Sequence, residues 1–86
     1  MMVPTVHLNG TSREELMRQL TEASDSLRLA LEKVQAAYPN ARDYYPQGAL
    51  AFGHARAEWG ARCNTLLVMR QELEQIIVFM DEVVSA

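Results

Sequence analysis

Hydrophobic positions along this chain fall into two helical rhythms separated by a proline-bounded break. From Leu16, the residues Leu20, Ala23, Leu27, Ala30, Val34 and Ala37 recur at spacings of four and three, the period of one helix face. Leu31 and Tyr38 widen that face. Arg18, Glu22, Asp25, Arg28, Glu32 and Lys33 occupy the opposite side and read as a solvated face. The pattern predicts a helix over about 12–38. Met17 and Leu29 fall off the main stripe, a first hint of a second contact.

The second rhythm runs through Phe52, Ala55, Trp59, Leu66, Met69, Leu73, Ile76, Met80 and Val83, predicting a helix over about 49–84. Arg62 interrupts it, and the neighbouring Cys63 can fill the apolar face as a small hydrophobe. Between the rhythms lies Pro39-Asn40-Ala41-Arg42-Asp43-Tyr44-Tyr45-Pro46-Gln47-Gly48, with two of the three prolines and two of the three tyrosines. Proline lacks an amide donor and biases its predecessor away from the helical region, so both helices should stop here and the chain reverse. The expected architecture is an all-α antiparallel helical hairpin over residues 11–86, preceded by an extended lead over 1–10.

Two overlapping capping boxes open the first helix, Thr11 with Glu14 and Ser12 with Glu15. Either satisfies orphan amides and puts negative charge at the helix start. Val6 and Leu8 alternate around His7 before the turn dipeptide Asn9-Gly10, which leaves room for a short strand. Met1-Met2 is set aside from the fold argument.

In the second helix Ala49, Gly53, Ala57 and Ala61 form a ladder of small residues at spacing four, joined by Gly60. A helical glycine costs about 0.8–1 kcal/mol against alanine. Close approach of another helix would account for the ladder; so would a kink or a late helix start after Gly53 or Gly60.

At the C-terminal end, Ile76, Ile77, Val78, Phe79, Met80, Val83 and Val84 are apolar on more than one face, whereas a two-helix hairpin covers one stripe. With the reversal centred near residue 43 or 44, Thr11 lies level with Ile76. The rest of the second helix then overhangs by about 12–15 Å. A symmetry mate or a foreign protein is expected to cover what residues 1–10 do not, and a homodimer with a four-helix arrangement follows as the expected assembly.

Composition narrows the chemistry. Eighty-six residues make one small domain that is short of core. Eight basic against eleven acidic side chains, with no basic run, disfavour nucleic acid as a partner. One cysteine and two distant histidines give neither an intrachain disulfide nor a recognisable metal set. The longest apolar run, Ile76 to Met80, is far below membrane-spanning length, and a cytoplasmic, reducing setting is expected. His7 reads as an exposed polar residue. His54 and Glu58 share a helix face but lack a third ligand, and read as a surface ion pair. With no phosphate cradle, nucleophile elbow or cysteine pair, neither an enzyme nor a cofactor is expected.

The segments His7-Leu8-Asn9-Gly10-Thr11-Ser12-Arg13-Glu14-Glu15-Leu16 and Pro39 to Gly48 together resemble small helical proteins of tailed phages and prophages. That resemblance implies a bacterial-cytoplasm protein made from a phage genome, either an accessory factor acting on a host protein or an assembly component. Partner contact is expected at Arg42, Tyr44 and Tyr45 in the loop, residue types common among interface hot spots. It is also expected at Ile77, Phe79, Met80 and Val84 on the apolar end of the second helix.

Overall fold

A computed structural model of the chain describes residues 1–85, with side chains as far as Glu82. Two antiparallel helices, α1 (Arg13–Ala36) and α2 (Ala51–Ser85), are joined by two short 3-10 turns, Ala41–Asp43 and Tyr45–Gln47. The lead before α1 contains no strand; its Asn9-Gly10 turn closes through the Gly10 amide on the His7 carbonyl at 3.1 Å.

Of the two capping boxes, Ser12 is the one that forms. Its Oγ accepts from the Glu15 amide at 3.1 Å. The reciprocal half is absent because the Glu15 carboxylate is taken by Arg18 and Gln19 further along the helix. Arg18 also reaches Glu22 at 2.8 Å, and Arg28 reaches Glu32 at 3.0 Å. These exposed ladders keep the outer face of α1 charged and wet, and each pair contributes little to stability.

The first helix stops at Ala36, two residues before the expected end, because Tyr38 precedes Pro39 and is pushed out of the helical region. Asn40 then accepts from the Arg42 amide at 2.9 Å and starts the first 3-10 turn. Gly48 lies at φ +117°, a conformation that only glycine adopts readily. The second helix begins at Ala51, two residues later than its sequence pattern suggests.

Two cross-links fix the register. The Trp59 indole Nε1 donates to the Val34 carbonyl at 2.6 Å, near the end of α1, where that carbonyl also accepts the Ala37 amide at 3.2 Å. At the other end Arg13 Nη2 meets Asp81 Oδ1 at 2.5 Å. Counting between these rungs, Leu27 lies level with Leu66 and Leu20 with Leu73.

This register corrects the expected overhang. The 3-10 turns and the late start of α2 move the reversal from residue 43 or 44 to about Gln47, so α1 begins level with Asp81 rather than Ile76. Only about 6 Å of α2 projects beyond that rung, one helical turn at 1.5 Å per residue. Met69, expected on the inner stripe, is 46 % exposed. Arg70 turns inward instead, with its Nε 3.2 Å from Glu74 Oε1 but out of hydrogen-bond alignment. Ser24, buried on α1, lies level with it.

The hairpin is a rod of 61 × 20 × 19 Å with a radius of gyration of 18.8 Å, against about 12 Å for a compact chain of this length. Met80 is the one fully buried apolar residue among those described; the rest of the seam is half-buried.

Replacing Trp59 by Phe keeps an aromatic ring but removes the hydrogen bond to the Val34 carbonyl, and should cost about 1 kcal/mol in urea unfolding at fixed chain concentration. Arg18 chiefly, and Gln19 next, hold the Glu15 carboxyl below its usual range by hydrogen bonding. The stability this contributes is complete above the ordinary carboxylate range and is lost as pH falls through the lowered value. A Glu15→Gln chain should therefore lose less helicity than the wild type in an acid titration followed by circular dichroism.

Candidate interaction surface

The outer faces of the two helices differ sharply in kind. Around α1 the outward positions carry the ion-pair ladders just described, with Leu29 the one large apolar residue exposed among the described residues of that helix, at 51 %, beside the small Ala23 and Ala36. Along the side of α2 turned away from α1, the N-terminal half presents Gly53, Ala57, Gly60 and Ala61, with Leu50 just before the helix starts. Its C-terminal half presents Val68, Gln71, Gln75, Val78 and Phe79. All of these are exposed, and no charged residue falls on this line from Leu50 to Phe79. Two shallow depressions lie along it, one lined by Asn64, Thr65, Val68, Met69 and Glu72, the other by Gln71, Glu74, Gln75, Val78 and Phe79.

The glycines of this face resolve the alternatives left open by the sequence. The helix runs unbroken through Gly53 and Gly60, so neither marks a late start. A Cβ built at either would meet nothing within 4 Å, so neither serves close packing within the chain. Their conformational cost has no return inside the hairpin.

The expected contact residues are divided by the structure. In the loop, Tyr45 is 74 % exposed and Arg42 is exposed, its backbone and guanidinium both tied to Asn40 Oδ1; Tyr44 is half-buried. On α2, Phe79 is 45 % exposed and Ile77 half-buried. Met80, at 2 % exposure, belongs to the seam with α1 and presents nothing to a partner; the shifted register covers it. The Val84 side chain lies outside the described residues. Leu50 and Val68 were missed as surface candidates, although the helix face they share with the ladder of small residues carries no charge and was readable.

Glu58 lies 3.8 Å from Arg62, one turn on, instead of pairing with His54. Arg62 also stacks on the Trp59 ring, as Arg56 does on Phe52, each at 5.5 Å. Among the described residues no group of three His, Cys, Asp or Glu side chains is placed to hold a metal ion. Among them, too, no helix is long and apolar enough to cross a membrane.

Since a Cβ at Gly53 or Gly60 meets open space, Gly53→Ala and Gly60→Ala should each stabilise the isolated hairpin by up to about 0.8–1 kcal/mol, read in dilute thermal unfolding.

Comparison of the chain with protein-family models, with curated proteins and with solved structures finds no match.

Proposed function

We propose that this chain is a non-enzymatic binding protein that self-associates and occupies the surface of a bacterial host protein, inhibiting or modulating it as a phage-type accessory factor would. The observation that carries the reading is surplus surface. The chain exposes 6432 Å², whereas a compact monomer of 9.7 kDa would expose about 5,100 Å². That surplus of about 1,300 Å² exceeds the roughly 800 Å² per partner of an ordinary stable interface. Part of it is the uncharged line on α2; another part is the loop, where Tyr45 stands out on a short, hydrogen-bonded turn.

Arg42 and Tyr45 are the host-facing residues in this reading, because a rigid aromatic and a guanidinium lose little freedom on binding and desolvate large area. The rod shape, 61 Å long and 20 Å wide, favours a second reading as a structural or assembly component of a phage virion, in which the same surfaces join copies within a particle.

Affinity capture from bacterial lysate with mass spectrometry separates the two. The first reading expects one host protein held by the wild type and reduced about tenfold or more by Arg42→Ala with Tyr45→Ala. Absence of any such protein, with the chain retained in purified virions, supports the second.

A further inference from the structure

We infer that the uncharged outer face of α2 seats a second copy of this chain, antiparallel, with the two α2 helices meeting at Asn64. This deepens the binding-protein reading and rests on it. Area, size and charge each select this occupant.

The surplus surface is enough for a homodimer interface from each chain, and the outer face of α1, laddered with ion pairs, is not the place for it. Within α2 the line is graded in size: small from Gly53 to Ala61, larger from Val68 to Phe79. An antiparallel copy therefore sets Gly60 beside Val68 of the second chain, Ala57 beside Gln71, and Gly53 beside Gln75. Each small residue receives a larger one, which gives the two helix glycines a use. A parallel copy would face small with small at one end and crowd Val78 and Phe79 against themselves at the other.

The flanks agree. Arg56, with no carboxylate of the described residues in ion-pair range, borders the line on the same side as Glu74. His54 borders it on the other side, as does Glu72. About a centre at Asn64, twofold symmetry brings Arg56 toward the second chain's Glu74 and His54 toward its Glu72. The two loops then project from opposite ends, on the order of 50 Å apart at 1.5 Å of rise per residue, so one dimer offers Arg42 and Tyr45 twice.

Sedimentation equilibrium of the full chain at micromolar concentration should return twice 9.7 kDa. Ala61→Glu, which puts a charge on the line without harming helix propensity, should weaken the dimer by about a hundredfold while its circular dichroism stays helical. Asp25→Lys, on the outer face of α1, should leave the dimer intact. For orientation, in a Cys63→Ser background, Ala57→Cys mixed with Gln71→Cys should form an interchain disulfide, and Ala57→Cys alone should not. A monomeric wild type, an Ala61→Glu chain that still dimerises, self-crosslinking of Ala57→Cys, or a foreign helix held on the α2 face of a monomer would each overturn the proposal. Host-protein capture that survives in a monomeric wild type would sink the dimer and leave the binding reading standing; a dimer that captures nothing would do the reverse.

Discussion

Two helices share one seam, and that constraint governs everything else in this molecule. Each helix can turn one stripe toward its neighbour, so a hairpin of this kind leaves the rest of both cylinders in water. On α1 the remainder is charged, which water solvates at no loss. On α2 the remainder is a line of small, apolar and amide side chains. The two exteriors therefore differ in how well water solvates them.

Within the seam, the Trp59 indole carries more than its apolar area. Donated to the Val34 carbonyl near the end of α1, it ties the two backbones in one register, and with the Arg13–Asp81 pair at the far end it prevents the helices from sliding by a turn. The register decides which apolar residues at the C-terminal end are covered. Met80 becomes core, while Phe79 and Val78, on the side away from α1, stay exposed.

The loop is a rigid joint. Asn40 holds the Arg42 backbone and side chain, Pro46 stiffens the second 3-10 turn, and Gly48 supplies the positive φ needed to leave it. Exposed residues on such a joint keep a fixed aim, so the loop can contribute to recognition without a large ordering cost. Its tyrosines divide accordingly, Tyr44 folding against the hairpin and Tyr45 facing water.

Much of this was legible in the residues themselves. Spacing of three and four announced both helices, Pro39 and Pro46 located the break, and Ser12 with Glu15 marked the start of α1, because these are local properties of backbone and side chain that need no distant partner. Which face of each helix lies inward was also readable for most positions. The register was not, since it depends on how many residues the two 3-10 turns consume, and moving the reversal by about three residues shifts the facing positions by about six, on the order of 9 Å. Nor could periodicity tell whether Gly53 and Gly60 break α2 or decorate it; only the path of the helix and the empty space at their Cα atoms decided that. Sequence alone thus determined two amphipathic helices and a reversal, through short-range sterics and hydrogen bonding. The tertiary structure decided which surfaces remain uncovered, because coverage is a relation between residues far apart in the chain.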